Sequence, residues 1–175
     1  MNMFDGINLQ LLLFTIFVFI LFIFKGFFSL FFILLIICLS FLSVLNYKDK
    51  VYLGDGGAYL ISSIIGCTFI YQYNNFSNSF FGDEVFIILI IPAIDMLRLF
   101  IVRILDKRHP FKGDLNHFHH IINDLTKNRK ITVFFTLIAS VLPTIFLFLN
   151  VKTYYIFLIT LIFYISIIQF SFQKK

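Results

Sequence analysis

From residue 6 to residue 47 the chain reads GINLQLLLFTIFVFILFIFKGFFSLFFILLIICLSFLSVLNY, 42 residues with a single charged side chain, Lys25. Lys25-Gly26 divides the stretch into apolar runs 6–24 and 26–47, of 19 and 22 residues. A hydrocarbon slab of about 30 Å takes about 20 helical residues at 1.5 Å each, so either run is long enough to cross it once. Working outward, the uncharged windows 56–82, 131–151 and 153–173, of 27, 21 and 21 residues, repeat the pattern. A sixth stretch, 85–105, is as long and carries Asp95, Arg98 and Arg103. The expectation is an all-α, polytopic integral membrane helix bundle of about six transmembrane helices. It forms one unit over 1–175, with backbone polar groups paired within helices.

Composition excludes an ordinary soluble domain. The 175 residues are 60% hydrophobic and 13% charged, with mean hydropathy +0.96, where soluble domains carry about 25% charge. The 14 Lys and Arg against 9 Asp and Glu give a net charge of +5. Their placement speaks for membrane topology and against a nucleic-acid partner. With the amino terminus in the cytoplasm, six crossings put eleven basic residues on that side, and only Lys25 and Lys152 opposite. Cys38 and Cys67 fall inside apolar spans, where a thiol behaves as a small hydrophobe and implies neither disulfide nor metal. The segment before the first span holds Asp5 and no Lys or Arg, unlike a cleaved leader, so that span is expected to stay in the mature protein.

The polar residues concentrate in a few places. Residues 46–57 form a charged connection ending in Leu53-Gly54-Asp55-Gly56-Gly57, whereas 72–84 is polar and free of Lys and Arg. Asp55 precedes a span in a glycine turn. It is either a helix cap or a group that holds a metal beside anions drawn to the helix N-terminus. Pro92 lacks the N–H that would bond the carbonyl of Ile88, so a kink is expected there. Asp95 and Arg98, three apart on one helix face, are costly in hydrocarbon; they are either a packing ion pair or part of a wet functional cavity. The connection 106–130, 25 residues long, holds all four histidines. Its run from Arg108 to His120 could bind phosphates or rest on anionic lipid, and His117, His119 and His120 could ligate zinc. The last two spans carry no Asp, Glu, Lys, Arg or His up to residue 173, apart from Lys152 between them, and are assigned packing and anchoring roles.

Four motifs follow in order: Asn2-Met3-Phe4-Asp5-Gly6-Ile7-Asn8; Tyr52-Leu53-Gly54-Asp55-Gly56-Gly57; Pro92-Ala93-Ile94-Asp95-Met96-Leu97-Arg98; and His109-Pro110-Phe111 through Asp114-Leu115-Asn116-His117-Phe118-His119-His120. Together they resemble the polyprenyl-phosphate N-acetylhexosamine-1-phosphate transferase superfamily (glycosyltransferase family 4). The Pro-x-x-Asp-x-x-Arg helix and His-x-His-His loop look most like its bacterial undecaprenyl-phosphate N-acetylglucosamine-1-phosphate transferase branch. The resemblance covers essentially all of this chain and the carboxyl-terminal half of the family. Two departures stand out: no Asp-Asp pair occurs, and Asn8 replaces a second Asp of many relatives.

The resemblance implies transfer of a sugar-1-phosphate from a UDP-sugar to undecaprenyl phosphate at the cytoplasmic face of a bacterial inner membrane. UMP is released and the product feeds cell-envelope polysaccharide synthesis. It further implies Mg²⁺ held by Asp55, a nucleotide pocket lined by Asn2, Asp5 and Asn8, and Tyr52 stacking on uracil. His117, His119 and His120 would contact the diphosphate, Asp114 would orient their loop, and Asp95 and Arg98 would support it. Since the chain opens inside the first motif, it is expected to be a fragment, a split gene product or a mis-started reading frame, with a missing amino-terminal half or a second copy of the chain as partner. The alternative is a non-catalytic membrane scaffold or partner subunit that keeps the helices without the chemistry.

Overall fold

The computed structural model describes residues 6–76, 80–110 and 116–173; Asn2, Asp5 and Asp114 lie outside these. Every regular element among the described residues is helical: α1 (Gln10–Phe24), α2 (Ser29–Tyr47), α3 (Gly54–Asn75), α4 (Gly82–Ile88), α5 (Ile90–Leu105), α6 (Phe118–Thr126), α7 (Arg129–Phe148) and α8 (Thr153–Gln173). Three of them, α2, α7 and α8, are long and apolar enough to cross a membrane, or four spans result if α4 and α5 count as one broken crossing. These helices do not confirm the expected count of six. α1 has 15 residues, about 22 Å of helix. α3 has 22, but its ends, 54–57 and 72–75, are glycine-rich or polar. What the chain shows is a set of apolar helices compatible with a membrane protein. It divides into two compact units, 1–85 and 86–175, the boundary falling within α4.

In the first unit α1 packs on α2 and α3. The turn between α1 and α2 closes at Gly26, whose φ of +82° suits glycine. The core is aromatic: Phe22 lies 5.1 Å from Phe32 and 4.9 Å from Phe69 between ring centroids, and Phe69 lies 5.6 Å from Phe80. Lys25 sits 4.8 Å above the Phe80 ring. α2 buries only Phe32, Ser43 and Asn46, leaving Leu30, Ile37 and Phe41 exposed. A helix apolar on all faces and covered on one is what a lipid boundary calls for.

The kink expected at Pro92 is a full break: α4 and α5 meet at 78°. Pro92 is the third residue of α5, and α4 ends at Ile88, the residue whose carbonyl it cannot serve.

In the second unit α7 touches α5, α6 and α8. Asn128 caps it, its side-chain oxygen accepting from the N–H of Lys130 and Ile131 at 3.0 and 3.4 Å. Its buried stripe is Thr132, Thr136, Ser140 and Thr144. These small side chains at every fourth position let neighbouring helices approach closely. Thr136 and Ser140 return their hydroxyls to carbonyls of α7 itself, Val133 and Thr136. The connection 106–130, read from sequence as a loop, contains α6. Phe118, Ile121, Ile122 and Leu125 give it an apolar face at helical spacing.

The glycines before α3 differ in their surroundings. A Cβ on Gly57 would meet the Leu53 side chain at 2.6 and 2.8 Å, whereas one on Gly56 meets nothing within 4 Å. Gly57→Ala is expected to lower stability by about 1 kcal/mol and Gly56→Ala to raise it by about 0.5 kcal/mol, read as opposite shifts of the thermal midpoint in detergent.

Candidate functional site

Asp95 lies on the buried face of α5 with 6% of its surface exposed. A carboxylate taken out of water at that depth needs donors, and four reach it. Tyr164 of α8 donates its hydroxyl to Oδ1 at 2.6 Å, and Arg98 Nη2 forms an ion pair with the same oxygen at 2.8 Å. His117 Nδ1 lies 2.9 Å from Oδ2, and the Phe118 N–H reaches both oxygens at 3.1 and 3.2 Å. Phe118 is the first residue of α6, whose own N-cap residue, His117, makes no side-chain cap. Asp95 therefore caps α6 from another helix, with its charge at the positive end of the helix dipole.

Arg98 extends the arrangement. Its Nε donates to the Tyr164 hydroxyl oxygen at 2.7 Å, and Nη2 also donates to the Asn116 carbonyl at 2.5 Å. The backbone just before the histidines is thus tied to α5, while Arg103 Nη1 holds the Pro110 carbonyl at 2.8 Å. Since an ionised carboxylate only accepts, His117 carries its proton on Nδ1 toward Asp95. Nε2 remains for another partner.

The three histidines form one cluster. The rings of His117 and His119 lie parallel with centroids 5.6 Å apart, and His120 is 4.3 Å from His119. His119 is 1% exposed, and its Nε2 is buried without a hydrogen-bond partner among the described residues. Burial first, then the neighbouring His120 and His117, lowers its pKa to about 3. It is neutral at physiological pH.

The first unit holds the other described candidates. Asp55 is in the first turn of α3 and exposed, as is Tyr52 just before it. Asn8 has a local task. Its Nδ2 donates to Asp49 Oδ1 at 2.6 Å and to the Asn46 carbonyl at 3.2 Å. Asn46 in turn accepts the Leu9 N–H at 2.7 Å and donates to the Val51 carbonyl at 2.8 Å. The start of α1 is thereby tied to the chain leaving α2. Leu9, at φ 75°, is held in the left-handed region by that bond.

Among the site residues, then, Asp95, Arg98, His117, His119 and His120 come together in the second unit, while Asn8, Tyr52 and Asp55 belong to the first. Sequence reasoning missed Tyr164, Asn46 and Asp49. For Tyr164 the available signal was a phenol in the middle of an apolar run, away from the Tyr154-Tyr155 pair at its start; for Asn46, a carboxamide in the last turn of one. Among the described residues no group of three or more His, Cys, Asp or Glu is placed to hold a metal ion, so the zinc option for the histidines has no such cluster behind it. No protein-family model matches the chain, and neither the curated proteins nor the solved structures give a significant match.

Two outcomes follow from this geometry. Asn8→Asp sets a second carboxylate beside Asp49 and is expected to cost about 1 kcal/mol. Adding Asp49→Asn should recover most of it, a coupling read from a double-mutant cycle of thermal unfolding. His119 titrates near 6.5 when unfolded and near 3 when folded. Its contribution to stability is complete above the unfolded value and is lost as pH falls through the interval down to the folded one. Between pH 6.5 and 5 that loss is about 1.5 kcal/mol, and His119→Gln should remove this part of the pH dependence of the thermal midpoint.

Proposed function

We propose that the chain is part of a membrane phosphoglycosyl transferase, which moves N-acetylhexosamine-1-phosphate from a UDP-sugar to undecaprenyl phosphate and releases UMP. On this reading six segments cross a bacterial inner membrane, with the polar motifs at its cytoplasmic face. The observation that carries it is the Asp95 to His117 bond within four family-like motifs met in order. It supports the reading because it gives the Pro-x-x-Asp-x-x-Arg helix a physical task toward the His-x-His-His loop.

In the reaction an oxygen of the lipid phosphate attacks the sugar-bearing phosphorus of the UDP-sugar. The new P–O bond forms as the bond from that phosphorus to the bridging oxygen breaks, and UMP leaves with the bridging oxygen. Both reactants are anions, so catalysis consists of neutralising and aligning them. His117, oriented through Nδ1, turns Nε2 toward the diphosphate and donates to a phosphate oxygen once the ring takes a second proton there; His119 and His120 stand beside it. Arg98, engaged by Asp95 and Tyr164, holds the backbone before His117 in place. Asp55 suits Mg²⁺, since its carboxylate is exposed and unpaired among the described residues, and this ion commonly takes one or two carboxylates with phosphate and water. When bound, Mg²⁺ would neutralise the diphosphate. Asn2, Asp5 and Asp114 keep their proposed roles toward nucleotide and loop, and Tyr52 toward uracil.

The test is calorimetric titration of the detergent-purified chain with UDP-N-acetylglucosamine and Mg²⁺. Binding is expected, and Asp55→Asn should weaken it by about tenfold, or 1.4 kcal/mol. Full affinity in Asp55→Asn would remove the metal role, and absence of binding by the unaltered chain would overturn its part in handling the nucleotide.

A further inference from the structure

The geometry points to Tyr164 as a positioning residue: its hydroxyl, wedged between Asp95 and Arg98, sets where His117 stands. This rests on the transferase reading for what His117 does, and on the structure alone for how it is held. Tyr164 is 2% exposed, near the middle of α8. Thr160 and Ser166 on the same helix return their hydroxyls to its own carbonyls, Ile156 and Ile162, whereas Tyr164 reaches α5.

One oxygen does two things there. It donates to Asp95 Oδ1 at 2.6 Å, and it accepts from Arg98 Nε at 2.7 Å. Asp95 and Arg98 also meet directly, so the three side chains close a triangle in which each fixes the other two. The corners hold the histidine segment: Asp95 through His117 Nδ1 and the Phe118 N–H, Arg98 through the Asn116 carbonyl. Below the hydroxyl the Tyr164 ring packs on Phe118 at 5.0 Å between centroids, and Phe118 directly follows His117. α8 thus touches the segment twice, once by polar linkage and once by ring contact. Removing the hydroxyl leaves Arg98 Nε a part-buried donor without its acceptor and takes one donor from the carboxylate. Both groups must then shift to satisfy themselves, and His117 shifts with them.

The experiment follows carbethoxylation of His117 by diethyl pyrocarbonate in the detergent-purified chain, mapped by peptide mass spectrometry. Tyr164→Phe is expected to speed His117 modification by about threefold to tenfold, the range set by one net hydrogen bond. Thr160→Val, which disturbs α8 without touching Asp95, should leave the rate unchanged. Replacing Tyr164 by para-methylphenylalanine keeps the volume, so it reads the hydroxyl without a cavity and should match Tyr164→Phe. Para-aminophenylalanine restores a donor of similar reach and should return the rate toward that of the unaltered chain. An unchanged His117 rate in the para-methyl variant, or an equal rise in Thr160→Val, would reduce Tyr164 to a packing residue and overturn the proposal. The labelling needs no substrate, so it decides the matter even where the chain binds no UDP-sugar, an outcome that overturns the transferase reading alone.

Discussion

A carboxylate buried at 6% exposure constrains everything around it in the second unit. Moving such a charge out of water costs several kcal/mol unless donors replace the hydration shell, and every missing donor adds to the cost. Asp95 meets that demand with four donors drawn from α5, α8 and the start of α6. Those elements are separated by up to 69 residues of sequence. Apolar packing alone leaves helices some freedom to slide and rotate. A charge that must find all its donors at once does not, and so the histidine segment is fixed to the helices by chemistry as well as shape.

The two units carry their polar groups differently. In the first, Asp55 and Tyr52 stand exposed at the head of α3, while Asn8, Asn46 and Asp49 are bonded to one another and to backbone. In the second, the histidines are mostly buried and oriented in advance. An exposed carboxylate can exchange water for a ligand with little rearrangement, whereas a buried imidazole with an orphaned nitrogen such as His119 Nε2 already holds its direction.

Much of the helical framework was legible because its signals are local. Lys25-Gly26 marks a turn, Pro92 marks a broken helix, and long uncharged windows mark apolar helices. Asp95 and Arg98 drew notice for a similar reason, being expensive residues in an apolar run at helical spacing. The span count was less secure, since charge-free length ignores where a helix starts and stops; glycine and carboxamide residues at the ends of α3 shorten its apolar part. α6 was overlooked although 118, 121, 122 and 125 spell an amphipathic turn, because a histidine-rich polar connection masks so short a pattern. Tyr164 was out of reach for a different reason. Its importance lies in two contacts made across 66 and 69 residues, and no local pattern encodes those. Asn8 shows the reverse case: a motif position assigned to a nucleotide has a sufficient local use in joining α1 to the end of α2.

The hydroxyl stripe of α7 has a mechanical corollary. Thr132 reaches across to Asn123 and to Thr126 near the end of α6, but Thr136 and Ser140 bond only within their own helix. The longitudinal setting of α7 is therefore pinned at one end, and beyond that pin its neighbours meet a face of small side chains, Thr136, Ala139, Ser140, Pro143 and Thr144. Among the described residues, the side-chain hydrogen bonds that tie α7 to another helix are thus confined to its end beside α6.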